Sequence, residues 1–178
     1  TSEVLNTQEA ILLLSTAASE DLARSATVVG AAIRGFNEDA SEAARFADVM
    51  AVAFTNSALD LEKFQTSMTK VSSIAAMLGF TFEETTAMLG ALTDAGIEAS
   101  IAGTALRQIL LFLGDPASNL SKKIGMTVKS GEDFIVALEK MNKEGVRLDD
   151  ILKVVNRRQV VAFNRFLNAM GVPTKDIQ

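Results

Sequence analysis

The sequence predicts an all-α fold, a globular bundle of about eight or nine short helices joined by glycine-capped turns. Three observations predict it. Apolar residues recur every three or four positions, the spacing of one helix face, as in Leu61, Phe64, Met68, Val71, Ala75 and Leu78. A glycine followed by a large apolar residue interrupts this pattern six times. Capping residues stand before several of the apolar runs.

The glycine pairs mark the predicted helix ends, because glycine readily takes the left-handed conformation that closes a helix. They are Gly35-Phe36, Gly79-Phe80, Gly96-Ile97, Gly125-Met126, Gly145-Val146 and Gly171-Val172. Together with the apolar spacing they place helices over roughly 4–17, 19–35, 40–56, 60–78, 82–95, 101–113, 116–124, 131–144 and 148–170. Such short, unequal helices favour a bundle over a rod-like coiled coil.

Helix starts are predicted by the capping residues. Thr81 with Glu84 has the capping-box spacing, and Asp39 with Glu42 offers an acidic version of it. Further N-caps are predicted at Ser19, Ser100, Asp115 and Ser130. Lysines stand close to predicted helix C-termini, where their charge interacts favourably with the helix dipole. They are Lys122, Lys123, Lys140 and Lys143.

Buried stripes follow from the same periodicity. The second helix is predicted to bury Leu22, Ala26, Val29, Ile33 and Phe36. Gly30 and Gly90 lie inside helices, where a missing side chain lets two backbones approach. No stretch alternates as a strand does, and residues 126–128 are the one segment that could form a stray strand.

The composition excludes several classes of protein. The chain has 178 residues, 48% of them apolar, and neither Cys nor His, which removes the usual zinc, thiol and imidazole chemistry. No apolar run approaches the length of a membrane span. Glu3 and Glu9 stand where a signal peptide would be basic. Because the sequence begins at Thr1, we expect a fragment of a longer chain, folded as one domain over 1–178.

Charge is distributed unevenly. Residues 1–89 hold 5 Lys/Arg against 12 Asp/Glu, and residues 90–178 hold 12 against 10. The late cations are interleaved with acids, and the chain has no Tyr or Trp for base stacking. This pattern predicts a solvated surface of mixed sign and no nucleic-acid site.

The stretch DAGIEASIAGTALR, residues 94–107, raises the question of a phosphate loop. Gly96 and Gly103 are seven residues apart, no lysine follows, and the preceding segment is helical, so the spacing does not match such a loop. We predict a joint between two helices, with Gly79, Gly96 and Gly125 determining the fold without binding ligands. Arg107 could bind a phosphate, but a contact with Asp94 or Glu98 is favoured.

Adjacent carboxylates are the remaining candidates for chemistry. They occur at Glu20-Asp21, Glu83-Glu84, Glu132-Asp133 and Asp149-Asp150, all in predicted first turns where the helix dipole explains them. Acid–base hydrolysis would need two acids from different elements to converge in a cleft. We therefore assign no catalytic, cofactor or metal residue and expect no enzyme.

Residues 56–125 resemble a known family. The order runs through segments 74–79, 82–85, 89–92, 94–97 and 102–107, and the part from Gly79 to Arg107 is the most specific. This order and spacing are similar to the core region of phage tail tape-measure proteins, which are minor tail proteins. Residues 19–55 and 131–171 fit more loosely, and residues 154–158 depart from the Phe-Gly common before the last helix.

The resemblance implies a structural protein of the phage or prophage tail. Such chains run inside the tail tube, set its length, and leave during DNA ejection. The implied partners are tail tube, tail tip and assembly chaperone proteins, with self-association as a further expectation. The implied location is the virion tail, and the host cytoplasm during assembly. A tail-tip effector or hydrolase-like helical domain acting on the host envelope is the alternative.

Overall fold

A computed structural model describes residues 2–144, 164–168 and 170–171. Eight α-helices lie in the first range: α1 Ser2–Ala18, α2 Leu22–Phe36, α3 Ala43–Asn56, α4 Leu61–Met77, α5 Phe82–Asp94, α6 Ala99–Gly114, α7 Asn119–Ile124 and α8 Gly131–Glu144. A 3₁₀ turn, Ala40–Glu42, precedes α3, and residues 164–168 are helical. These described ranges contain no strand, so the all-α prediction is confirmed. The predictions on 145–163 and on Val172 lie outside them.

Helix α4 runs through the centre of the bundle. Its most extensive contact is with α6, and it also packs against α2 and α5, while α1 packs mainly on α3. Phenylalanines join these layers: the rings of Phe46 and Phe82 stack at 3.9 Å between centroids, and Phe36 and Phe64 meet Phe82 edge-on at 5.5 and 5.9 Å. One aromatic cluster thus connects α2, α3, α4 and α5.

The α4–α6 contact depends on Gly103. A Cβ on Gly103 would lie 2.3 Å from the carbonyl oxygen of Ser67 and 2.8 Å from its Cα. The two backbones therefore touch directly, and any side chain at position 103 would push them apart. The sequence suggested such a role for Gly30 and Gly90. A Cβ on Gly90 would lie 3.3 Å from the Ser57 side chain, so Gly90 does allow a close contact. For Gly30 the prediction is wrong, since a Cβ there would meet only Arg34 of the same helix.

The predicted glycine stops are confirmed at four sites. Gly79, Gly96, Gly125 and Gly171 have φ values of 76°, 74°, 65° and 76°. After Gly79, the Phe80 amide donates to the Ala75 carbonyl, and after Gly96 the Ile97 amide donates to the Leu92 carbonyl. These are Schellman closures, in which the residue after the glycine folds back over the last turn.

The prediction that Gly35 ends α2 is wrong. The helix continues through Phe36, and Asn37 takes the left-handed conformation, with φ 56° and ψ 36°. A Cβ on Gly35 would lie 2.7 Å from Oγ of Ser72 in α4. Gly35 is therefore required for packing inside the helix, and Asn37 closes the helix because Asn tolerates this conformation better than most residues.

Two predicted N-caps are confirmed. Thr81 and Glu84 form a complete capping box at the start of α5. The hydroxyl of Ser130 accepts a hydrogen bond from the Asp133 amide at 3.1 Å. The acidic box at Asp39 is wrong in one half: Asp39 accepts from the Ser41 amide, but the Glu42 carboxylate binds Arg45.

Three other predicted caps are wrong because a neighbouring residue has the better geometry. Ser19 closes α1 at φ 53°, and Asp21 caps α2. Glu98 accepts from two amides of the first turn of α6, which therefore begins at Ala99 and leaves Ser100 inside the helix. Residues 116–118 form a turn after Asp115, and α7 begins only after Ser118, whose hydroxyl caps it.

The buried face of α2 also differs from the predicted stripe. Val29, Ile33 and Phe36 are buried, but Leu22 and Ala26 are exposed. Val128 lies in a connecting segment, not in a strand, and its amide donates to the Leu113 carbonyl at 2.8 Å. Among the helices described, none combines the length and the apolarity that crossing a bilayer requires.

We expect Gly103→Ala to destabilise the chain by at least about 2 kcal/mol, because its methyl group would overlap the Ser67 backbone. Gly30→Ala is the matched control, since its Cβ has room and an alanine favours a helix interior by up to about 1 kcal/mol. Urea unfolding followed by circular dichroism measures both changes. Equal effects of the two substitutions would contradict the α4–α6 contact.

Gly96→Ala tests the helix stop. Apart from the adjacent residues, the atom nearest to the added Cβ would be a guanidinium nitrogen of Arg165, at 3.9 Å. The expected loss of about 1 kcal/mol in stability therefore comes from the positive φ alone. Gly96→Asn should lose less, because Asn adopts this conformation more readily. Thermal unfolding compares the two variants, and an alanine variant as stable as the original would mean that Gly96 does not close α5.

Candidate interaction surface

An open groove between α3 and α5, which we call the α3–α5 groove, is a feature that could serve a function. Its volume is about 580 Å³. The lining residues are Asp48, Val49, Val52, Ala53, Asn56, Ser57, Glu83, Thr86, Ala87, Gly90, Ala91 and Asp94. Small side chains on the α5 side, Ala87, Gly90 and Ala91, leave the space between the helices unfilled.

Polar contacts hold the two helices together at both ends of the groove. At the end nearer the start of α5, Arg45 of α3 forms an ion pair with Glu83, and it also binds Glu42 at 2.6 Å. At the other end, the Asp94 carboxylate accepts a hydrogen bond from the Ala58 amide at 2.6 Å. Hydrogen bonds to Glu42 and Glu83 raise the pKa of Arg45, so this cation stays charged. The groove is therefore a built feature of the fold.

The lining combines apolar surface with negative charge. Three carboxylates, those of Asp48, Glu83 and Asp94, lie at its ends, and no Lys or Arg is among the residues that line it. Val52 exposes 60% of its surface, although it stands in a helix whose other face is fully buried. The hydroxyl of Thr86 is buried and makes no hydrogen bond with any residue that the structure describes.

The joint at residues 94–107 begins at Asp94 in the groove and continues beside a second, more polar pocket. That pocket is lined by Gly96 and by Asp60, Glu62, Glu98 and Lys63. Three carboxylates against one lysine disfavour a phosphate. The interpretation of this stretch as a helix joint therefore agrees with the geometry: Gly96 closes α5 and Glu98 starts α6.

Arg107 does not make the predicted contact. The Asp94 carboxylate binds the Ala58 amide, the Glu98 carboxylate caps α6, and the ion pairs within the described ranges do not include Arg107 with either. Arg107 lines a separate shallow pocket together with Lys70 and hydroxyl side chains of α4 and α6. The position of Arg107 beside Lys70 could not be predicted from the sequence, because α4 and α6 come together only through the Gly103 crossing.

The adjacent carboxylates mostly have structural partners. Glu84 completes a capping box, Glu83 binds Arg45, Asp133 accepts from the Lys129 amide, and Glu20 pairs with Arg24. Asp149 and Asp150 lie outside the described residues. Asp48 and Glu83 do line one groove, but Glu83 is already engaged in an ion pair with Arg45. In the described part of the chain, no group of three acidic residues could hold a metal ion.

Comparison with known proteins identifies the class of protein that carries this helical bundle. The family described as Phage-related minor tail protein matches residues 1–160, so the chain belongs to that family. Within it, a tape measure protein of Pneumococcus phage Dp-1 is 30% identical over 123 residues, which cover 69% of this chain and 11% of the relative. A probable tape measure protein of Escherichia phage P2 is 37% identical over 73 residues, 41% of this chain and 9% of the relative.

The predicted tape-measure resemblance is therefore confirmed, and it extends well beyond residues 56–125. The chain spans about a tenth of the length of the curated relatives it matches. No solved structure shows a significant match. The arrangement of helices and the α3–α5 groove thus come from this chain's own structure.

Asp60, at the polar pocket, gives a pH-dependent prediction. Burial alone would raise its pKa, but hydrogen bonds from the Lys63 amide and ammonium, with that cation's charge, lower it. A lowered pKa stabilises the fold above about pH 4, and the contribution disappears as pH falls through the folded-state pKa. Asp60→Asn should therefore be less stable than the original by up to about 1 kcal/mol at pH 7 and equal to it near pH 2. Urea midpoints at both pH values measure this, and a difference that does not change with pH would contradict it.

Proposed function

We propose that this chain is a compact, non-catalytic assembly domain of a phage tail tape measure protein. In this proposal it acts in the host cytoplasm while the tail is assembled and then as part of the virion tail. Its partners are other tail proteins: the tube, the tip or the assembly chaperones. The whole protein determines tail length and takes part in DNA ejection.

The observation that supports an assembly role is the compact fold of a segment from a length-determining family. A continuous helix of 178 residues would extend about 270 Å at 1.5 Å per residue. The longest helices described here, α1 and α4, have 17 residues each, about 26 Å. A compact chain of this size has a radius of gyration of roughly 16 Å, or a diameter of about 40 Å. It would therefore add little to a measured length.

We further propose that residues 1–178 form one domain. The buried apolar residues form a single cluster that extends from Ala10 of α1 to Leu167 in the last described segment. Phe134 of α8 links the α4–α5 connection to the last described segment, because its ring lies 5.7 Å from that of Phe80 and 6.0 Å from that of Phe166. A shared core of this kind favours cooperative folding.

The hydrolase-like alternative has less support. The carboxyl pKa shifts that the structure resolves, at Asp39 and Asp60, are both downward, whereas a general acid needs a raised pKa. The family match and its tape measure relatives also favour a structural role.

Deleting residues 1–178 from the full-length protein tests the proposal. We expect assembly or ejection to be lost, while any tails that form are shortened by much less than about 270 Å. Electron microscopy of tails and a plaque assay measure the two outcomes. Full-length protein carrying Gly103→Ala is the control, since it weakens the fold without changing the chain length. Tails shorter by the full 270 Å, or normal assembly and infection, would contradict the proposal.

A further inference from the structure

Resting on the assembly role, we propose that the α3–α5 groove binds one amphipathic α-helix of another tail protein. The bound helix presents a stripe of aliphatic side chains at its centre and Lys or Arg residues at both ends. The shape of the groove, its charge and the exposure of Val52 support this partner.

The shape of the groove fits a helix. Its α5 side follows one face of the helix, from Glu83 through Ala87 and Gly90 to Asp94, a distance of about 17 Å or three helical turns. Ala87 and Ala91, one turn apart on α5, allow the axis of a third helix to approach closely, because helices pack ridge into groove where side chains are small. A partner stripe of about ten to twelve residues would match this length.

The charge of the groove indicates which residue types stand at the two ends of the bound helix. Asp48 and Glu83 lie at one end and Asp94 at the other, with no cation in the lining. Residues 1–89, which supply α3 and the start of α5, also carry a large excess of acids. Cationic residues at both ends of the partner would meet these carboxylates. A second copy of this chain docking through the same groove would instead place its own carboxylates against them, and such like-charge contact is unfavourable.

Val52 marks the centre of the contact. It exposes 60% of its surface beside small residues, and covering it would remove apolar area from water.

Photo-crosslinking in the full-length protein tests the inference. A benzoyl-phenylalanine placed at Val52 during phage assembly should crosslink to another tail protein, and mass spectrometry identifies the attached peptide. We expect a segment with helical apolar spacing and Lys or Arg at both ends. Ile135 of α8 is the matched control position, because it is 59% exposed and lies outside the groove. Crosslinking to a second copy, to an acidic segment, or equally from Ile135 would overturn the inference.

Charge is tested by two substitutions at Ala87, an exposed residue of the groove. Ala87→Lys and Ala87→Glu add similar volume, but only lysine repels a cationic partner. We expect lysine to lower the crosslink yield from Val52 about tenfold, and glutamate to lower it much less. Equal yields from the two variants would overturn the charge argument.

Assembly scored on the same samples separates this inference from the proposed function. Normal tails from Ala87→Lys phage that have lost the crosslink would show that the contact is dispensable and would overturn the groove inference alone. Normal tails after deletion of residues 1–178 would overturn the assembly role itself. Lost crosslinking together with lost assembly would support both.

Discussion

The direct contact between the backbones of α4 and α6 is the constraint on which the rest of the structure depends. It exists because residue 103 is glycine, which allows the Ser67 carbonyl to lie where a side chain would begin. With α6 fixed in this way, α4 becomes the central helix, and Phe64 and Met68 reach the core shared with α2 and α5. Gly35 against Ser72 repeats the device on the α2 side of α4. Two glycines thus hold three helices closely together.

The α3–α5 groove is a consequence of this arrangement. Helices α3 and α5 contribute Phe46 and Phe82 to the aromatic cluster at α4, and small side chains of α5 leave the groove beside it unfilled. Arg45 and Asp94 fix the two ends, so the groove does not close by collapse of one helix onto the other. Filling it with a partner would gain apolar burial with little loss of conformational freedom, because the walls are already ordered.

Much of the fold could be predicted from the sequence because its signals are local. Positive φ at Gly79, Gly96 and Gly125 and the capping box at Thr81 depend on neighbours within six residues. The errors arose where tertiary packing decides: Gly35 has the sequence of a helix stop, but its contact with Ser72 comes from 37 residues away. The groove could not be predicted either, since exposed Val52 and buried Met50 are similar apolar residues in one helix.

The same dependence on tertiary contact limits how such a segment can behave in a tail. Isolated helices shorter than about 12–15 residues are marginally stable in water, and α7 has 6 residues and α5 has 13. Their stability therefore comes from the shared core, which exists only when the chain is compact. Drawn into a narrow tube, the chain would lose the core and most of its helical structure together. A free energy of folding of about 5–15 kcal/mol would oppose that step, so extension would require an external drive such as contact with the tube or the release of DNA. Under the assembly proposal, a segment built from capped short helices is thus poorly suited to act as the ruler itself.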